Sequence, residues 1–305
     1  MRFLLISVFL VVFFAVQASG RTWYIKADGT GDAPTIQAGV DSTADGDTVL
    51  VAGGVYNESI SVERTRIYLI SEGGPDVTII QGDPGAWSIR SLRCVRVEGF
   101  TVRGASIGIA YFNTGDIIGN VVRDCEISAI LFGGMDVDIH PTGTIQGNIV
   151  CDSPTGIEIS GAIGYGTYLI GNTVYGCETG LHIFNPMGSA AIVTCNLVTG
   201  CTSAGVFQAV DCSSYPCGPP PELACNIVWG NQRDYVGTEP GQTDMVVCPK
   251  LCRADEGDFR VCYDSPCLPE NNPYGCSVGA CGAGCECGPS SVEQTTWGAI
   301  KAMYK

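Results

Sequence analysis

YLIGNTVYGC, residues 168–177, repeats a phrase used elsewhere in the chain. DIIGNVVRDC stands at 116–125, TIQGNIVCD at 144–152, AIVTCNLVTGC at 191–201 and ELACNIVWGN at 222–231. The residue before each Asn serves as an anchor: Gly119, Gly147, Gly171, Cys195 and Cys225, with Gly99 in the Asn-less forerunner VRVEGFTV. Successive anchors are 20, 28, 24, 24 and 30 residues apart. A period in this range signals stacked repeats.

Within each unit a second apolar pair follows about ten residues later, in TGIEIS (155–160), TGLHIF (179–184) and AGVFQ (204–208). These short segments alternate with period 2 and are broken by Gly and Asn, and no helical period competes. Short strands returning every ~24 residues form the coils of a parallel β-helix, because one coil cannot bury its own apolar face and a stack can. Residues 21 to about 265 supply about ten coils, a column of about 45–50 Å at the ~4.8 Å strand spacing.

Asn120, Asn148, Asn172, Asn196 and Asn226 are expected to stack as a hydrogen-bonded ladder, since a buried amide needs partners. Asn also tolerates the left-handed turn conformation, so the turn is expected at Gly-Asn or Cys-Asn. Cys125, Cys177 and Cys201, each six residues after an anchor, are expected to form an internal column as small hydrophobes or as disulfides between coils.

A stack has two open ends that must be covered. At the N-terminal side PTIQAGV, with Ile36 and Val40 four apart, predicts a short capping helix before the strand TVLVAG. Asp41, Asp45 and Asp47 in DSTADGD lack the spacing of a calcium loop and read as a turn. At the other end eight of the 17 cysteines fall between Cys248 and Cys287. The stretch holds no His and no C-x2-C pair, so it reads as a disulfide cap rather than a zinc site. Its disulfide candidates are Cys248, Cys252, Cys262, Cys267, Cys276, Cys281, Cys285 and Cys287, and Cys212 with Cys217 closes the loop DCSSYPCGPPPE into a ring.

The first 20 residues have one basic residue, an apolar run from Phe3 to Val16 and small residues before Arg21, the layout of a secretory signal peptide. Without Arg2 the chain carries 15 basic residues against 31 acidic ones. That charge disfavours nucleic acid as a partner, and no later segment approaches the ~20 residues needed to span a bilayer. The expected organisation is a signal peptide (1–20), β-helix repeats (21–247), a last coil with a Cys-rich cap (248–288) and a tail (289–305). The expected location is secreted or cell-surface. Asn57 opens the sequon NES.

The opening IKADGTGDAPTIQAGVDSTADGDTVLVAGGVYNESI and the IxGNxV...GIxI repeat resemble the pectin-lyase-like superfamily of right-handed parallel β-helix proteins. GDFRVCYDSPCLP, 257–269, resembles the last-coil signature of secreted members of that group. The resemblance implies an all-β, single-stranded right-handed solenoid and polysaccharide, or a cell-surface glycan, as the ligand. It does not carry catalytic residues over. The Gln-Asp-Thr-Leu and Gly-Arg-Pro-Trp segments of pectinesterases, the Gly-His-Gly of polygalacturonases and the Arg-x-Pro-x-x-Arg of pectate lyases are missing.

Candidate chemistry lies on one outer strip. In MDVDIHP, Asp136, Asp138 and His140 alternate with Val137 and Ile139, so a strand would turn all three outward. Glu158 and His182 each lie 11 residues after their anchors, Gly147 and Gly171, and are expected side by side. Together Asp136, Asp138, His140, Glu158 and His182 are the candidates for a groove that binds polysaccharide. Asp136 and Asp138 are candidate calcium ligands, and a carboxylate pair is the equipment of a glycoside hydrolase or lyase. The other reading of the chain is a non-catalytic structural or adhesive rod.

Overall fold

The structure is a computed structural model that describes residues 20–133, 141–161, 163–164, 166–184, 190–209 and 219–286. Three long sheets of nine, eight and eight strands run along the molecule, and within each sheet every neighbouring pair is parallel. One coil contributes one short strand to each sheet. The coil around the opening phrase places Thr167–Ile170 in the first sheet, Thr173–Tyr175 in the second and Thr179–Phe184 in the third. This is the expected parallel β-solenoid, about ten coils tall.

The core is the column that the alternation predicted. Val97, Ile117, Ile145, Leu169 and Val193 succeed one another in the first sheet, all fully buried. Val102, Val122, Val150, Val174, Val198 and Val228 do the same in the second. β-branched side chains suit this arrangement because one χ1 rotamer packs against the identical position above and below.

The Asn column is a continuous hydrogen-bond chain. Oδ1 of Asn148, Asn172, Asn196 and Asn226 accepts both the backbone N–H and the Nδ2 group of the preceding Asn, at 2.9–3.1 Å. Each Nδ2 also donates to a core carbonyl of the coil before, as Asn172 does to Ile145. The turn lies at the expected pair, with the left-handed conformation at its first residue rather than at Asn. Gly119, Gly147, Gly171, Cys195 and Cys225 have φ between 57° and 62°, and the Asn residues are not among the left-handed positions. The Asn side chain works through its hydrogen bonds, and its neighbour makes the turn.

Cys125, Cys177 and Cys201 are buried free thiols. They stack in one column in which Ser153 takes the place of a cysteine: the N–H of Cys125 donates to Ser153 Oγ, and that of Cys201 to Asn231 Oδ1. Of the two expectations, the small buried hydrophobe is the one realised.

At the N-terminal end the helix Ile36–Asp41 turns Ile36, Gly39 and Val40 inward, with Thr35 accepting from Ala38 N at its N-cap. The Glu58 carboxylate takes the next two free N–H groups, of Ile36 and Gln37. Asp47 makes the expected turn by accepting from Ala44 N, Arg21 N and Trp23 Nε1.

The Cys-rich segment forms a three-stranded sheet of Leu251–Arg253, Asp258–Cys262 and Ala283–Cys285. It packs on the flank of the column: Val261, Cys267 and Val278 bury Leu197 and Ile227, which point outward from the second sheet. Tyr175 on the same flank meets Phe259 edge-on, with ring centroids 5.6 Å apart.

Four of the expected bridge candidates of the Cys-rich segment, Cys252, Cys262, Cys276 and Cys285, are disulfide-bonded. Cys252 pairs with Cys285, and Cys276 pairs with Cys225, a repeat anchor that the sequence reading left out of the bridges. Cys248, Cys267 and Cys281 are free thiols, which corrects their assignment as bridge candidates. Cys267 is instead a buried member of the apolar cluster, its thiol turned to Pro249 O. Cys212, Cys217 and Cys287 lie outside the described residues.

Candidate functional site

Alternation along the third sheet sends one row of side chains outward. Ile157 and Ile159 flank Glu158, and Leu181 and Ile183 flank His182; all four are buried in the core, so Glu158 and His182 must face away from it. The two are direct register partners on adjacent parallel strands. They belong to one unbroken row through Ser61, Arg90, Ala110, Leu131, Glu158, His182, Phe207 and Val236. Successive members are ~4.8 Å apart along the axis.

What places these residues is a glycine two positions earlier. Gly108, Gly156, Gly180 and Gly205 precede Ala110, Glu158, His182 and Phe207. A Cβ on Gly156 would stand 2.5 Å from Gly180 O and 2.7 Å from Val174 Cγ1, and one on Gly180 would stand 2.5 Å from Val198 Cγ1. At Gly156 and Gly180 the strands approach too closely for a side chain, whereas Ala129 holds the equivalent place between Gly108 and Gly156.

The row has two polar-aromatic regions. Near its N-terminal end Arg90 bridges to Glu63 and lies over the Trp87 ring, 5.2 Å from its centroid. Trp87 in turn meets Phe112 at 5.4 Å. These rings, with Ile107, Ala110, Leu92 and Leu131, make a second apolar cluster separate from the core. A cleft of about 400 Å3 runs beside Trp87 and Arg90. Further along, the rings of His182 and Phe207 are 5.2 Å apart and tilted by 58°. Among the described residues neither Glu158 nor His182 takes part in an ion pair.

Of the expected site residues, the structure thus joins Glu158 to His182. Asp136, Asp138 and His140, with the calcium position assigned to the first two, lie outside the described residues. Trp87, Arg90, Phe112 and Phe207 were missed by the sequence reading. Phe207 carried a usable signal, because aligning AGVFQ with TGLHIF on the shared Gly sets it under His182.

A second group of reactive side chains lies on the turn ridge. The sulfurs of Cys195, Cys225 and Cys276 are all within 4.8 Å of one another and half-buried, the one such group of three or more among the described residues. Each residue is pinned through its backbone: Cys195 O accepts from Gly279 N, Cys225 N donates to Thr243 Oγ1, and Cys276 N donates to Asn272 Oδ1. Cys225 and Cys276 are bridged, and Cys195 is free.

Against known proteins, no curated protein matches the chain. Among solved structures, pectin methylesterase from carrot aligns at 11% identity with a TM-score of 0.31, over 79% of this chain and 93% of that one. The three-sheet parallel column and the repeat pattern are those of the pectin-lyase-like superfamily. Residues 40–216, more than half of the chain and most of the column, match the family described as "Periplasmic copper-binding protein (NosD)", and the chain belongs to that NosD family.

Proposed function

We propose that the chain is an exported β-helix protein that binds polysaccharide along the outer face of its third sheet. The observation that carries this reading is the unbroken register row from Ser61 to Val236, which sets Arg90, Glu158, His182 and Phe207 on one line. A glycan needs apolar surfaces for its ring faces and fixed polar groups for its hydroxyls, and this row with Trp87 beside it offers both. The rod-like stack supplies the length for several sugar units. Binding is the reading rather than cleavage, since the catalytic segments of the known enzyme types are missing and Glu158 is opposed by an imidazole rather than a second carboxylate.

The test is a glycan array on the full chain, run with assays for new reducing ends and unsaturated uronides. Binding without products is expected, together with its loss in Glu158→Ala combined with His182→Ala. Products would make the protein a lyase or hydrolase. Silence in all three assays would leave the structural rod.

A second reading concerns copper, named in the description of the family. It is favoured by the Cys195, Cys225 and Cys276 group, whose all-sulfur donor set suits a soft metal. These residues would hold the ion by their thiolates, which stabilise it in its reduced state. Metal analysis of the reduced protein after exposure to Cu(I) tests this, one ion bound at this group being the expected result.

A further inference from the structure

We infer that the Cys225–Cys276 bridge gates a three-coordinate site for a soft monovalent cation, open when the bridge is reduced and closed when it forms. This inference rests on the copper reading above and adds the valence, the coordination number and the control.

The first observation is a cysteine where the repeat has no need of one. The left-handed anchor is Gly in Gly119, Gly147 and Gly171, and Cys195 takes it at φ 58°. A side chain in this conformation costs about 1–2 kcal/mol. Cys225, in the next coil, recovers stability through its disulfide, whereas Cys195 is a free thiol. The chain therefore holds a third sulfur beside the bridge in a strained conformation, where it meets the hydroxyl of its neighbour Thr194 at 3.5 Å.

The second observation is geometric. Three sulfurs around one ion at bonds of ~2.3 Å stand ~4 Å apart. The sulfurs of Cys195, Cys225 and Cys276 lie within 4.8 Å of one another on backbones already pinned by hydrogen bonds, so a small side-chain adjustment reaches that triangle. Among the described residues no fourth Cys, His, Asp or Glu joins the group, so a tetrahedral zinc shell is not completed. Three thiolates with no nitrogen or oxygen partner select Cu(I) over Cu(II), calcium or magnesium.

The gate follows from the chemistry of sulfur. A bridged sulfur is not a thiolate, so with Cys225–Cys276 closed only Cys195 remains to bind. An external dithiol opens the site: its two S–H groups become its own disulfide, the protein's S–S bond breaks, and both protons pass to Cys225 and Cys276. Metal binding then releases the thiol protons to solvent.

The experiment compares full-length wild type with Cys195→Gly, each oxidised and each reduced by an excess of dithiol. Cu(I) is titrated against a chromophoric chelator, and the thiolate-to-copper absorption is recorded. Cys195→Gly keeps every other cysteine and restores the residue its φ prefers, so it folds, and circular dichroism verifies this. Reduced wild type is expected to take up one more Cu(I) than reduced Cys195→Gly, and oxidised wild type is expected to lose that extra ion. Equal uptake by the two reduced proteins would overturn the site itself, and with it the copper reading. Undiminished extra uptake by the oxidised wild type would overturn the gate and leave the site standing.

Discussion

Oδ1 of Asp244 accepts both the backbone N–H and the side-chain Nδ2 of Asn226, each at 2.9 Å, and so closes the Asn ladder at its C-terminal end. Asp can stand last because nothing beyond requires a donor from it. Its other oxygen accepts from Tyr235 Oη and Gly241 N, which folds the final segment over the stack. Inside the ladder an acceptor alone does not suffice. Replacing Asn172 by Ala strands the N–H and Nδ2 of Asn148 and the carbonyl of Ile145, all buried. At about 1–3 kcal/mol per orphaned group, Asn172→Ala is expected to destabilise by about 3 kcal/mol or more. Urea unfolding checks it, and a loss below about 1 kcal/mol would show that water replaces the ladder.

The ladder was legible in sequence because Asn at a fixed period has few other uses in a buried turn. Its partner in the turn was not, since Gly171-Asn172 and Cys195-Asn196 give no local cue as to which residue takes φ near 60°. The pairing of Glu158 with His182 could be counted from the anchors. Trp87 and Arg90 could not, because their coil precedes the first clear anchor and depends on contacts with Glu63 and Phe112 from neighbouring coils. The Cys225–Cys276 bridge spans 51 residues, and only the docking of the terminal segment on the flank brings its ends together.

Gly147 isolates the backbone cost of the turn. Its φ is 62°, and a Cβ there meets nothing within 4 Å. Gly147→Ala therefore creates no clash and is expected to cost about 1–2 kcal/mol from the left-handed conformation alone. A parallel Gly180→Ala should cost more, because its Cβ would lie 2.6 Å from Gly205 O. Equal losses in denaturant titrations of the two variants would refute this distinction.

The buried thiols predict alkaline lability. Desolvation pushes Cys177 and Cys201 up to about 12, and Cys94 and Cys125 up to about 11. In the unfolded chain such thiols ionise near 9.0. Between these values the unfolded state has lost protons that the folded state keeps. Stability is thus whole below about pH 9 and falls as pH rises through the folded values, by about 1.4 kcal/mol per pH unit for each thiol. Unfolding free energies that stay flat over this range would contradict the burial of the column. At about pH 8 the same thiols should resist iodoacetamide until denaturant is added, since the thiolate is the reactive form.

Trp87 tests the outer face without touching the core. It is half-buried, lies against Arg90 and Phe112, and belongs to the cluster separate from the main column. If the face binds polysaccharide through ring stacking, Trp87→Ala should weaken that binding by about 1–1.5 kcal/mol, about tenfold in Kd. Phe207→Ala, at the other polar-aromatic region, should do likewise, because it removes the ring packed beside His182. The two sites are separated by four intervening strands of the row, so their effects should add when one glycan chain spans both. Shorter oligosaccharides should respond to one substitution and ignore the other. Calorimetry with a graded length series measures this, and a ligand whose affinity is indifferent to both variants would move the binding surface off the third sheet.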